Sequence, residues 1–303
     1  MRIDTYHLKG DTTFSIALDL GCNLFRWVME GRSILYAPEN FPRGDGDFFK
    51  GGNPILFPSV GRTWDRTEDP PVFGQYHIHG RSKTYQMPIH GLLPFAQGEK
   101  IHEDVFDDHI QVEYACLIPA DVLEEHYPFN VSFRLRYTLK PASVRIEGFF
   151  ENKGSTPAPF AFGCHPYFAF DDKTSLQIHL PCRERFILDP KLLVPIGREP
   201  LQSPILSLES TKTYDMGFTH VTGERASIVD SRNHRFLHID IDSNIDAFVI
   251  YTNPQAVFIC LEPWTKGLGA FETLNHKDWP ATRDLMVLPP GQSQKVRLKY
   301  SVE

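Results

Sequence analysis

The chain lacks most of the features that mark a membrane, secreted or nucleic-acid-handling protein. No apolar run approaches the roughly 20 residues a transmembrane helix needs. Its first residues, Met1-Arg2-Ile3-Asp4-Thr5-Tyr6-His7, lack the apolar stretch of a secretory leader. There is no basic cluster, and 31 Lys and Arg against 38 Asp and Glu leave a formal charge of −7. That balance excludes nucleic acid and anionic membrane as natural partners. The five cysteines, at 22, 116, 164, 182 and 260, are odd in number and contain no Cys-x-x-Cys pair. They read as reduced core thiols of an intracellular protein rather than as a disulfide framework. Long amphipathic helices are also missing. Together these absences predict a soluble, cytoplasmic protein.

What is present is β-structure. Ile110-Gln111-Val112-Glu113-Tyr114 and Val131-Ser132-Phe133-Arg134-Leu135-Arg136-Tyr137 alternate apolar and polar residues. The same period of two recurs in 144–147, 176–180, 236–241 and 296–300. Alternation turns one face of a strand to the core and the other to water, the pattern of antiparallel sheets. The 24 prolines and 21 glycines fall in the gaps as turn residues. Many short strands with regular turns predict a β-sandwich or barrel. The 23 phenylalanines supply bulk for broad packed sheets. No linker divides the chain, so residues 1–303 are expected to form a single all-β domain. The least strand-like stretch, Pro38 to Gly91, is expected to lie over one face, because a connection of that length is usually functional.

Five places put polar residues in unusual settings. Glu262 ends the apolar run Phe258-Ile259-Cys260-Leu261 and is followed by Pro263-Trp264-Thr265. A buried acid must be paired, neutralised or used. Desolvation raises a carboxyl pKa toward neutrality, as a general base requires; the competing reading is a salt-bridged strand exit. Arg62 closes the proline-bounded run Asn53-Pro54-Ile55-Leu56-Phe57-Pro58-Ser59-Val60-Gly61, a rigid platform for a guanidinium fork that suits sugar hydroxyls or a carboxylate. His90 precedes Gly91 among apolar neighbours, which permits close backbone approach by a ligand. His165 sits in Phe162-Gly163-Cys164-His165-Pro166-Tyr167-Phe168, where an imidazole near its ordinary pKa of about 6.5 can give or take a proton. Asp215, between Tyr214 and Phe218, is either a hydroxyl acceptor or a turn cap.

Taken in order, these stretches resemble the aldose 1-epimerase (galactose mutarotase-like) family. The matching parts are the Asn-Pro-Ile-Leu-Phe-Pro run ending in Gly61-Arg62, His90-Gly91, His165-Pro166-Tyr167-Phe168, Asp215 with Phe218, Glu262-Pro263-Trp264-Thr265, and the last turn Leu288-Pro289-Pro290-Gly291-Gln292. The resemblance spans nearly the whole chain and implies a large antiparallel β-sandwich with a sugar cleft on a concave face. It implies Glu262 as general base and His165 as general acid. Arg62, His90 and Asp215 would hold the sugar's hydroxyls and ring oxygen, and Trp264, Tyr167 and Phe168 would stack on its apolar face. Interconversion of hexose anomers needs no metal or nucleotide cofactor, and the partner is a small-molecule sugar. Two departures bear on the substrate. Leu92-Leu93-Pro94 stands where the family usually has phenylalanine, a small residue and arginine. Thr63-Trp64-Asp65-Arg66 replaces an Asn-Arg-Ile step, leaving Arg66 as an alternative to Arg62.

Four other functions would draw on parts of the same sequence. A hexose-6-phosphate 1-epimerase would need a phosphate contact, for which Arg81 and Lys83 lie before His90 but without a glycine-rich cradle. A cupin-like metal enzyme would use His77-Ile78-His79, which shares a strand face, with Glu99, His102 and Glu103 following in no recognisable ligand pattern. A glycoside hydrolase would use Asp215 and Glu262 as its carboxylate pair. A non-catalytic carbohydrate-binding sandwich would keep the fold and lose turnover.

Overall fold

Alternation along the chain is realised in the larger of two broad antiparallel sheets. The structure is a computed structural model that describes residues 1–42, 48–266, 268–281 and 284–303. One sheet has nine strands, in the order Gln97–Val105, Ile110–Leu117, Val131–Lys140, Ser143–Asn152, Ser293–Val302, Arg235–Ile241, Arg225–Asp230, Leu176–His179 and Ile205–Ser207. The six alternating stretches of the sequence all lie in this sheet. The second sheet runs Pro195–Pro200, Cys182–Leu188, Tyr214–Val221, Ala247–Thr252, Phe258–Trp264, Gly163–Cys164 and Ile55–Leu56, with Tyr167–Ala169 also paired to Phe258–Trp264. A four-stranded sheet from Ile3–Leu8 to Arg32–Ser33 completes the larger elements.

Aromatic side chains join the two large sheets into a sandwich. Phe57, next to strand Ile55–Leu56, stacks on Phe133 and Phe150 of the nine-stranded sheet at 5.2 and 5.4 Å between ring centroids. Phe168 meets Tyr300 edge-on at 5.5 Å. Such pairs add about 0.5–1.5 kcal/mol each beyond the apolar area they bury. Nearly all of the buried apolar residues form one continuous cluster. Among the described residues the single α-helix is the short Ala120–His126, and no helix is long and apolar enough to cross a membrane.

Segment Pro38 to Gly91 does more than cover a face. It contributes strand Ile55–Leu56 to the second sheet and two small hairpins, Trp64–Asp65 with Val72–Phe73 and Gln75–His77 with Thr84–Gln86. Its run from Gly52 to Gly61 is laced by backbone hydrogen bonds to stretches 90–92 and 161–167. Tyr167 donates to Gly52, His165 to Pro54, Ala161 to Pro58, Leu92 to Phe57 and His90 to Gly61, all between 2.7 and 2.9 Å. Buried backbone must find such partners. Here the pairing ties Arg62, His90 and His165 to one rigid unit.

Candidate active site

Strand Phe258–Trp264 is the axis of the site. Its register places Val249 opposite Glu262, Tyr251 and Tyr167 on either side of Cys260, and Gly163 opposite Trp264. Asp215 pairs with Tyr251 one strand further out. Residues opposite one another share a face, so the row Asp215, Tyr251, Cys260 and Tyr167 lies beside the row of Glu262. The alternate residues Ile259 and Leu261 face the core and are buried there. A cavity of about 510 Å³ opens over this face. Arg62, His90, His165, Asp215, Glu262 and Trp264, the six site residues read from the sequence, all line it.

Two glycines admit the tryptophan. A Cβ at Gly163 would stand 2.5 Å from Trp264 Cδ1, and one at Gly61 would stand 3.3 Å from its ring. Gly61 has φ +67, in the left-handed region where glycine is favoured. The indole therefore occupies space that side chains at those positions would take.

At the centre, His165 Nε2 lies 3.3 Å from Glu262 Oε1. Glu262 is 1% exposed. Burial pushes its carboxyl well above the usual range, and the like charge of Asp215 adds to the shift; Trp264 and Arg62 oppose it less strongly. Burial lowers the His165 imidazole to about 4. Desolvation thus favours the neutral form of both partners. Moving one proton from Glu262 to His165 across this contact yields a carboxylate and an imidazolium side by side.

His90 is fixed differently. Its Nδ1 accepts a hydrogen bond from the Gly61 amide at 3.1 Å, while its own amide donates to Gly61. Burial, then the charges of His165 and Arg62, hold its pKa well below the ordinary value. A neutral imidazole that accepts at Nδ1 carries its proton on Nε2. His90 therefore carries a hydrogen-bond donor at Nε2. Its ring meets His165 edge-on at 5.2 Å and Trp264 at 5.8 Å. Across the cavity the Arg62 guanidinium lies 3.6 Å from Asp215.

The two arginines separate cleanly. Arg62 lines the cavity, whereas Arg66 pairs with Glu272 on the wall of a different, smaller cavity. Tyr167 and Trp264 line the cleft, but Phe168, expected to stack on a sugar, points away from it onto Tyr300. The reason is strand alternation: Phe168 is opposite the core-facing Ile259. Arg81 and Lys83 lie elsewhere, against Tyr85 and the Glu124 carbonyl. His77 binds Asp65 at 2.7 Å, and His102 binds Asp104, so the histidines of the cupin reading do not converge.

Other cleft residues escaped the sequence reading. Tyr36, Phe49, Lys50, Tyr251 and Phe258 also line the cavity. Tyr251 and Phe258 had a signal, because strand register carries them to the face of Glu262. Phe49 and Tyr36 lie in irregular backbone with no period. Phe49 is placed by contacts: the Tyr167 hydroxyl donates to its carbonyl at 2.7 Å, and its ring packs 5.1 Å from His90.

Residues 4–301 match the family described as aldose 1-epimerase. The chain belongs to that family. Solved structures agree on the fold across the full length. The Slr1438 protein of Synechocystis sp. PCC 6803 is 24% identical, with a TM-score of 0.80, covering 100% of this chain and 96% of its own. A galactose mutarotase-like protein of Clostridium acetobutylicum is 18% identical with a TM-score of 0.80, covering 100% and 98%. A galactose mutarotase related enzyme of Lactobacillus acidophilus is 18% identical with a TM-score of 0.77, covering 99% and 97%.

Proposed function

We propose that this aldose 1-epimerase family member is a mutarotase, interconverting the α and β anomers of a hexose by acid/base ring opening. The observation that carries the reading is the His165–Glu262 pair, 3.3 Å apart at the centre of the cleft. The reaction removes the proton of the C1 hydroxyl and protonates the ring oxygen. Both oxygens are bonded to one carbon, so the groups that serve them must stand close together. Glu262 as carboxylate takes the hydroxyl proton and His165 as imidazolium protonates the ring oxygen. The ring opens, the C1–C2 bond turns, and the aldehyde closes on its other face with the two proton transfers reversed. A well-placed acid or base contributes about 10²–10⁴-fold each.

The remaining residues hold the sugar. His90 Nε2–H and the Arg62 guanidinium donate to sugar oxygens, and Asp215 accepts from hydroxyls. Trp264 and Tyr167 offer flat apolar surface to the ring. Truncating Arg62 to alanine is expected to raise KM by about ten- to a hundredfold, since a hydrogen bond to a charged group is worth about 1.5–3 kcal/mol. Arg66→Ala leaves KM unchanged. A KM defect in the Arg66 variant instead would reverse the assignment.

Polarimetry of freshly dissolved α-D-glucose and α-D-galactose tests the reaction directly. Catalytic amounts of protein should speed the approach to the equilibrium rotation. Because Lys50 lines the cleft, glucose 6-phosphate belongs in the same assay. Acceleration of the phosphorylated sugar alone assigns the phosphate-specific reaction. No acceleration of any of the three, with binding retained, identifies a carbohydrate-binding protein.

A further inference from the structure

The cleft face of Phe258–Trp264 carries one reactive side chain that proton transfer does not use. Cys260 is a free thiol, fully buried, in one row with the cleft-lining Tyr251 and Tyr167. Along the same face, two residues on, stands Glu262. One donor atom each from His165, Cys260 and Glu262 lie within 4.8 Å of one another. Among the described residues no other group of three or more His, Cys, Asp or Glu side chains meets that spacing.

A second observation points the same way. Glu262 Oε2 is buried without a hydrogen-bond partner, on a side chain only 1% exposed. A buried polar atom left unpaired costs about 1–3 kcal/mol, so the carboxyl has reason to accept a ligand. The cavity that Glu262 and His165 line provides the route of entry.

We propose that His165, Cys260 and Glu262 form an inhibitory zinc site, one nitrogen, one thiolate and one carboxylate oxygen holding the ion with its fourth position open to the cleft. Zinc takes this mixture of donors in four-coordinate geometry at about 2.0–2.3 Å, which sets ligand atoms about 3.3–3.8 Å apart. From a spread of up to 4.8 Å, a contraction of about 1–1.5 Å reaches that spacing. The thiolate selects zinc over magnesium and calcium, which prefer oxygen. Binding releases the thiol proton, and any proton on the carboxyl, to solvent. The ion then occupies the lone pairs that both proton carriers need, so turnover stops.

Calorimetric titration of Zn²⁺ into the full chain, freed of metal by a chelator, tests the site without reference to activity. One ion per chain is expected, and Cys260→Ser should weaken binding by at least about tenfold, as loss of even an indirect partner of a metal does. Co²⁺ in place of Zn²⁺ should give a thiolate charge-transfer absorption that Cys260→Ser lacks. Since a buried thiol contributes to packing, Glu262→Gln serves as a second variant of unchanged shape and should weaken binding similarly. Equal affinity in all three proteins, or bound Co²⁺ without the thiolate band, overturns the site. The inhibition rests on the mutarotase reading and has its own readout. Zn²⁺ should stop wild-type mutarotation, reversibly with chelator, at concentrations that leave Cys260→Ser at its own metal-free rate. Stoichiometric binding with undiminished turnover would leave the site standing and overturn its inhibitory role.

Discussion

Glu262→Gln is expected to lower the mutarotation rate by at least about 10²–10⁴-fold, the usual contribution of a positioned base, with sugar affinity nearly unchanged. The substitution keeps the shape of the side chain and removes its ability to take a proton. Burial already favours the uncharged carboxyl, so a neutral amide fits the same surroundings and the fold should retain its melting temperature. In the proposed reading Arg62, His90, Asp215 and the aromatic walls hold the sugar, and none of them changes. A loss confined to kcat would mark an interaction made only in the transition state. Polarimetry gives the rate, and quenching of tryptophan fluorescence on titration with sugar gives the affinity, Trp264 being in the cleft. Near-wild-type turnover in a folded variant would remove Glu262 as the base and leave the sandwich without its proposed chemistry.

Gly91→Ala is expected to destabilise the protein by more than about 3 kcal/mol, at the severe end for a single substitution. Gly91 has φ +90, and a Cβ there would stand 2.3 Å from the Phe57 carbonyl oxygen and 2.6 Å from its carbon. Both atoms are backbone and cannot turn aside. The neighbouring Leu92 amide donates to that same carbonyl at 2.7 Å, and His90 itself has φ 65. Separating the two backbone segments, which meet at the isolated Phe57–Gly91 bridge, would pull His90 from Gly61 and open the cleft as the fold weakens. Gly80→Ala is the control. It has φ +79 with no atom within 4 Å of a Cβ, so only the backbone preference is lost, about 1–2 kcal/mol. Urea unfolding of the two variants separates clash from conformational preference. Equal destabilisation would show that the Phe57–Gly91 approach is not tight.

Legibility differed between fold and site for physical reasons. Strands 110–117 and 131–140 could be read because one face of each meets the core and the other meets water. Glu262 and His165 could be singled out because ionisable residues among apolar ones carry a desolvation cost and must be paired, neutralised or used. Phe49 and Tyr36 have apolar neighbours too, but an aromatic in irregular backbone demands nothing and gives no direction. Phe168 was misplaced onto the sugar because proximity to His165 in sequence says nothing of face until the partner strand's register is known.

The sequence by itself determined the antiparallel sandwich, the family, and six side chains that the structure brings to the lining of one cleft. These rest on composition, period and local chemistry, which are properties of short stretches. Tertiary structure alone decided that Arg62 and not Arg66 enters the cleft, that His90 carries its proton on Nε2, that Glu262 and His165 stand 3.3 Å apart, and that Cys260 lies with them. Each of these depends on backbone hydrogen bonds or strand register between segments tens to hundreds of residues apart, and no local pattern encodes which carbonyl a distant amide will find.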